Sequence, residues 1–260
     1  MKKMHTYAIC AYGDSRYLET CIRSLKRQTV GSGIIMCTST PSDYIKGLAE
    51  VYDIPLFVRE GKSDIRADWN FAYDSAATKY VTIAHQDDVY HREYTRAMLK
   101  AFSRHENAQC FFTGYRPFKE GHISIDANCV IRAALRFSMR FDVFAANTFA
   151  KKAILSLGNS ICCPTVTYNK EILGKHLFTS KYKYNIDWDT MYKLARQKGS
   201  FLYDHRALVA YRIHDGATSK EYIDNSGRYA EDLAMFERFW GKGIAKLIMK
   251  AYVLAYRTYE

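Results

Sequence analysis

Four polar residues, His85-Gln86-Asp87-Asp88, cut short an apolar run that begins at Tyr80. Two adjacent carboxylates raise each other's proton affinity unless a cation lies between them. A hard divalent ion with oxygen ligands removes that repulsion, and such ions commonly bring phosphates with them. A solvated acidic turn is the plain alternative, and the surrounding chain decides between the two. Two further polar groups lie downstream. Asp187 and Asp189 open a helical pattern, where carboxylates favour the positive end of the helix dipole, so capping alone would explain them. The apolar run Ala207 to Ile213 leads straight into His214-Asp215-Gly216.

The elements that must carry these groups follow from periodicity. Tyr80 to Ala84, rich in β-branched and aromatic residues, predicts a buried strand. Before it, Thr6–Ala11, Gly33–Cys37 and Pro55–Val58 predict three more strands. Between them Leu18, Cys21, Ile22 and Leu25 mark one helix, and Tyr44, Ile45, Leu48, Ala49 and Tyr52 a second. Trp69, Ala72, Tyr73 and Ala76 mark a third, with Ser63 or Asp64 to cap it. Such alternation implies a mostly parallel sheet with right-handed crossovers, and ligands then sit outside the carboxyl ends of the strands. Tyr12-Gly13-Asp14, Thr38-Ser39 and His85 to Asp88 would share that rim, which favours the site over the solvated turn.

The second half predicts a helix around Ala97 to Phe102, a strand at Cys110 to Thr113 and a hairpin-like return from Gly121 to Ile125. Residues 128–157 place Arg132, Arg136, Arg140, Lys151 and Lys152 among apolar runs, the pattern of one or two basic amphipathic helices. A packed helix with a basic solvated face and a membrane-surface helix are both open there. A strand near Val166–Tyr168, a helix from Asp187 to Lys198, and strands at Ser200–Tyr203 and Ala207–Ile213 come next. From Tyr229 the tail sets Lys242, Lys246 and Lys250 among Ile244, Leu247, Ile248 and Ala251, another basic amphipathic pattern.

Composition fits a folded chain able to bury a full core: 260 residues, 48% hydrophobic, only 4 prolines. A net charge of +11 favours polyanions, whether nucleotide phosphates, nucleic acid or an anionic membrane face. The 7 cysteines form no CxxC pair, and an odd count without a disulfide framework points to a reducing cytosol. The first residues lack a secretory signal's apolar run, and no stretch approaches a membrane span. The expectation is a cytoplasmic protein, soluble or peripheral on the inner face of the membrane.

Four motifs stand in a familiar order. Ala11-Tyr12-Gly13-Asp14 is followed by Tyr17-Leu18; Asp68-Trp69-Asn70 precedes the strand ending in His85-Gln86-Asp87-Asp88; then come Ile186-Asp187-Trp188-Asp189 and Tyr211-Arg212-Ile213-His214. From Thr6 to about Ser219 the chain resembles family 2 of the inverting nucleotide-sugar glycosyltransferases. The resemblance implies an α/β GT-A fold, a Rossmann-like, mostly parallel central sheet with flanking helices, plus C-terminal amphipathic helices. It implies a glycosyltransferase domain over 1–220, with 1–115 binding the nucleotide-sugar and 116–220 the acceptor, and a helical extension over 221–260. By position, Asp87 would hold Mn²⁺ or Mg²⁺, with Asp88 and His214 as further ligands, and Asp187 would be the catalytic base. Ala11, Tyr12, Asp14, Thr38, Asp68, His85 and Gln86 would line the nucleotide-sugar site. The implied reaction moves a sugar from a nucleoside-diphosphate sugar to a hydroxyl of a glycan or lipid-linked glycan during surface polysaccharide or capsule synthesis in bacteria. A homo-oligomer is compatible with it.

Three positions depart from the family pattern. His85 replaces the first Asp of the DxD motif, Thr38 and Ser39 replace the Asp usual at the end of the second strand, and Ile186 replaces a Glu. A catalytically inactive scaffold with the same fold is therefore an alternative. A basic nucleic-acid-binding protein fits the charge, but acidic residues at strand ends would repel phosphate without a metal. A dinucleotide-binding oxidoreductase would need a GxGxxG turn where Tyr12-Gly13-Asp14-Ser15 stands, and a sugar nucleotidyltransferase a Gly-rich basic loop.

Overall fold

The computed structural model describes residues 3–119, 122–123, 127–214 and 227–253. Strands β1 (His5–Ala11), β2 (Gly33–Thr38), β3 (Leu56–Val58) and β4 (Tyr80–His85) are separated by helices α1 (Leu18–Lys26), α2 (Asp43–Val51) and α3 (Ile65–Ser75), as the periodicity predicts. On α1 the apolar stripe Leu18, Cys21, Ile22 and Leu25 is buried. Side-chain caps start the next two helices: Ser42 Oγ accepts from the Ile45 amide at 3.2 Å, and an Asp64 oxygen from the Ala67 amide at 2.9 Å.

β5 (Val89–Tyr90), α4 (Tyr94–Phe102), β6 (Ala108–Lys119), β7 (His122–Ile123), β8 (Thr167–Asn169) and β9 (Ser200–Ile213) follow. The strands form one sheet in the order β3-β2-β1-β4-β8-β6-β9-β5, with β7 paired to β6. β3, β2, β1 and β4 are parallel, as are β6 and β9. β8 is antiparallel to both β4 and β6, so β6 and β9 point the same way as β4. The carboxyl ends of β1, β2, β4 and β9 therefore share one rim. Alternate residues feed opposite layers: Tyr7, Ile9 and Ala84 join the core under α1, α2 and α4, while Ala8, Val81 and Ile83 join the core of Tyr168, Trp188 and Phe236.

The second half departs from expectation in three places. The strands expected at Ser200–Tyr203 and Ala207–Ile213 are one strand, whose register against β6 shifts at Gly114. The polar interruption is a bulge that satisfies itself, with Arg206 Nη2 donating to the Asp204 carboxylate at 2.5 Å. The segment read as one or two basic helices is four short pieces: α5 (Ala127–Arg136), a 3₁₀ turn (Phe137–Arg140), α6 (Asp142–Ala145) and α7 (Thr148–Ala153). Two of its cations point inward instead of forming a basic face. Arg136 is buried over the Tyr115 and Tyr203 rings and donates to Ser160 O. Lys151 is buried and donates to Gln197 O at 2.8 Å and Gly199 O at 2.7 Å, carbonyls just beyond a helix end where a cation is favoured. The expected hairpin is met by β7 against β6, though Gly121 and residues 124–126 lie outside the described residues. α8 (Lys170–Leu173) and α9 (Ile186–Ala195) precede β9, and α10 (Gly227–Tyr252) closes the described chain with a break at Gly241. No helix among the described residues is long and apolar enough to cross a membrane.

Candidate active site

β4 delivers His85 to the rim, and the turn after it carries Gln86, Asp87 and Asp88. His85, Asp87 and Asp88 each offer a ligand atom within 4.8 Å of the others. Asp88 is fully buried; one oxygen accepts the Arg212 amide at 2.9 Å, and the other has no partner among the described residues. His85 Nε2 is likewise buried and unpartnered, and its ring stacks on Trp69 at 5.4 Å. Burial, and then the neighbouring Asp87, push the Asp88 carboxyl well above the usual carboxylate range. For Asp87 burial also pushes upward, but the His214 hydrogen bond and the nearby His85 win and hold it below that range. His214 Nε2 lies 3.0 Å from Asp87 Oδ2. An orphaned carboxylate oxygen and an orphaned imidazole nitrogen, beside a second carboxylate, form a donor set that suits Mn²⁺ or Mg²⁺.

Strand pairing explains why these groups meet. β5 pairs antiparallel with β9, Val89 opposite Ala210, which brings the side chain of the preceding Asp88 within reach of the Arg212 amide. Arg212 Nε donates to Asp87 O at 3.0 Å, and its guanidinium lies 4.3 Å over the Tyr17 ring and 5.0 Å over Phe118. Tyr17 also packs on the His214 ring at 5.0 Å. The end of β9 is thus fixed against the acidic turn from both sides.

On the β1 and β2 side, Gln86 grips the Tyr12 peptide twice, accepting from its amide and donating to its carbonyl, both at 2.9 Å. Tyr12 itself stays 61% exposed beyond Ala11. Asp14 accepts from Ser42 Oγ at 2.5 Å. Thr38 is buried and its hydroxyl accepts the Thr40 amide at 3.0 Å, so it shapes the turn. The Asp68 carboxylate accepts from Arg59 Nε at 2.7 Å, Ser39 Oγ at 3.0 Å and Ser63 Oγ at 2.9 Å. It supplies a carboxylate from α3 beside the end of β2, where the sequence carries only hydroxyls.

Asp187 stands in the first turn of α9, but the N-cap is Asn185, so capping does not account for it. Its Oδ1 accepts the Trp188 amide at 2.8 Å and its Oδ2 accepts Asn159 Nδ2 at 2.6 Å. Burial raises its carboxyl to about 6 despite those two hydrogen bonds. Asp189, by contrast, is structural: it is buried and paired with Lys193 at 2.8 Å and with Arg238. The thiols of Cys162 and Cys163 feel both Asp88 and Asp187, which brings the acidic turn and the start of α9 to a second 3₁₀ turn, Cys163–Thr165. Asn159, Tyr17 and the backbone role of Arg212 were not assigned from sequence. Asn159 reads there only as part of a turn, and a main-chain donor leaves no signature in residue type.

Comparisons with known proteins bear on the fold and the family. An uncharacterised glycosyltransferase of Rickettsia typhi is 22% identical over 97% of this chain and 77% of its own length. S. aureus TarS 1–349 superposes with a TM-score of 0.54 at 14% identity, over 90% of this chain but only 64% of its own length. A mannosyltransferase from Pyrobaculum calidifontis, in complex with GDP-Man and Mn²⁺, superposes with a TM-score of 0.62 at 13% identity, over 98% of this chain and 76% of its own. These likenesses show a GT-A fold. The family model described as Glycosyl transferase family 2 matches residues 6–177, and the chain belongs to that family of glycosyltransferases.

Proposed function

We propose that the chain is an inverting, metal-dependent transferase that moves a sugar from a nucleoside-diphosphate sugar to a hydroxyl of a glycan or lipid-linked glycan. The observation that carries this reading is the His85, Asp87 and Asp88 cluster with its two orphaned buried atoms. Asp87, Asp88 and His214, with His85 beside them, would hold Mn²⁺ or Mg²⁺. When bound, the ion supplies a Lewis acid that neutralises charge on the departing diphosphate. Arg212 fixes the turn through its amide and Nε, and Tyr17 beneath it keeps His214 facing Asp87. Ala11, Tyr12 and Gln86 form the floor of the nucleoside site, and the exposed Tyr12 ring is free to stack on a base. Asp14, Thr38 and Asp68 support it by shaping the loops around Thr40, Ser42 and Arg59. Asp187 accepts the proton of the attacking hydroxyl, with its carboxylate oriented by Asn159 and the Trp188 amide. One base suffices, because attack opposite the leaving group inverts the anomeric centre.

Fold relatives in complex with UDP-GlcNAc and with GDP-Man mark both nucleotide classes as donor candidates. Residues 1–115 are read as the donor half and 116–220 as the acceptor half, in a cytoplasmic enzyme of surface polysaccharide or capsule synthesis working at the inner membrane face. The test is a panel of nucleotide sugars assayed for transfer and hydrolysis with Mn²⁺, Mg²⁺ or EDTA, alongside calorimetry of Asp87→Asn. At least one donor should turn over only with metal, and Asp87→Asn should lose metal-dependent nucleotide binding while staying folded. Nucleotide binding in Asp87→Asn that is unchanged and insensitive to EDTA would reject the metal site.

A further inference from the structure

One face of the proposed acceptor half carries apolar surface that none of the described residues covers. Phe137, Phe141 and Phe144 are all exposed and form a continuous ridge, with ring centroids 5.9 Å and 6.4 Å apart. Arg140 lies 5.3 Å over the Phe137 ring at its edge, and Val143 and Phe149 flank it at 74% and 79% exposure. Single exposed hydrophobes are ordinary; contiguous ones mark an interaction surface. The ridge stands on a fixed base, since Met139, Ala145, Ala150, Arg136 and Lys151 are buried beneath it.

The charge around this ridge is mainly positive. Of the five Lys or Arg in residues 127–157, Arg132, Arg140 and Lys152 keep some exposure, against a single acid, Asp142, while Arg136 and Lys151 are buried. Trp240 Nε1 donates to Ser156 O at 2.7 Å, which joins α10 to the segment that follows α7. Beyond Gly241, α10 turns Lys242, Lys246 and Lys250 outward among the exposed Ile244 and Leu247, and residues 241–253 hold no acid at all. Aromatic and aliphatic side chains interspersed with cations match an anionic lipid surface, where rings enter the headgroup boundary and lysines meet phosphates.

We propose that this face, the ridge of α5 to α7 together with the outer side of α10, seats the protein on an anionic bilayer. A second copy of the chain is a poorer occupant, because a two-fold contact would set this net-positive face against another of the same sign. A soluble polyanion without aromatic bases gives the phenylalanines nothing to do. The seat adjoins the candidate base: Arg136, at the end of α5, donates to Ser160 O, next to the Asn159 that holds Asp187. An acceptor anchored in that membrane would present its hydroxyl from the same side. The inference rests on the lipid-linked acceptor reading above for its purpose, but its test does not require turnover.

The experiment is co-sedimentation of the full chain with phosphatidylcholine vesicles, with and without about 30% phosphatidylglycerol. The variants are Phe141→Ser with Phe144→Ser, and Lys242→Gln with Lys246→Gln and Lys250→Gln. The wild type should pellet only with anionic vesicles and detach as salt rises. The triple Lys variant should bind roughly 100-fold more weakly, and the double Phe variant should also lose binding. Both should keep metal-dependent nucleotide binding in solution, which separates failure of the membrane seat from failure of the transferase reading. Equal binding to neutral and anionic vesicles, or wild-type binding by the double Phe variant, would overturn the proposal. So would absence of vesicle binding by the wild type, and a dimer in light scattering that the Phe variant dissolves would then assign the ridge to self-association.

Discussion

Asp187 is held between opposing influences. Burial raises its carboxyl to about 6, while the Trp188 amide and the Asn159 side chain pull the other way. Such a group is ionised at neutral pH yet basic enough to take a proton in the transition state. Transfer at saturating donor should therefore climb as pH rises through about 6 and level off above it. Asp187→Asn should lower turnover roughly 10²–10⁴-fold and remove that acid limb, with donor affinity nearly kept. A near-normal rate in that variant would return the residue to a structural role. Stability provides a second readout of opposite sense. Between the ordinary carboxylate value of 3.8 and about 6, the folded chain keeps a proton that the unfolded chain has lost, so this group's contribution falls as pH rises through the window. Asp187→Asn lacks that term, and its denaturation midpoint should gain on the parent's across the same window. In the sequence, Asp187 was distinguished from Asp189 only by its place in the motif order, because both residue types suit a first helical turn. Their partners separate them.

At the scale of elements, the first four strands and three helices were legible because each is a short apolar run ended by Gly, Pro or a polar cap. β9 was not. Its Asp204-His205-Arg206 interruption looks like a loop, and only pairing with β6 reveals a strand that bulges and continues to Ile213. That continuation matters, since it carries Arg212 and His214 to the acidic turn. The bulge also explains Gly114. A Cβ there would stand 2.8 Å from His205 O and 3.2 Å from Arg206 O, both backbone atoms. Gly114→Ala should therefore cost roughly 1–3 kcal/mol in urea denaturation, and should weaken Mn²⁺-dependent nucleotide binding by displacing the end of β9. A wild-type midpoint would mean the bulge yields without penalty. The basic runs of residues 128–157 misled for a related reason. Charge pattern alone does not tell an outward cation from one such as Lys151 that closes the end of a neighbouring segment.

Over the whole molecule, the net charge of +11 was readable but its disposition was not, and neither was the work of the tail. α10 is tied into the core beside Asp187, the proposed base. Met235, Phe236, Ala245 and Met249 are fully buried in the core of Trp188, whose ring meets Phe236 edge-on at 5.2 Å. The same helix organises the entry to α9. Glu231 accepts the amides of Lys183, Tyr184 and Asn185 at 2.7, 2.8 and 2.9 Å, and Asp232 accepts Asn185 Nδ2 at 2.7 Å. One carboxylate thus satisfies three main-chain donors in the loop leading into the helix that carries Asp187. Glu231→Ala would leave those donors without their partner, at about 1–3 kcal/mol for each one that water cannot reach. The loop would then loosen, and α9 would lose its fixed entry. Because the proposed donor rim lies at the ends of β1, β2, β4 and β9, the effect should separate by function. Nucleotide and metal affinity should stay near wild type while turnover falls, and Glu231→Gln, whose amide oxygen still accepts, should recover part of the loss. Equal loss of donor affinity and turnover would show instead that α10 supports the fold without any particular hold on Asp187.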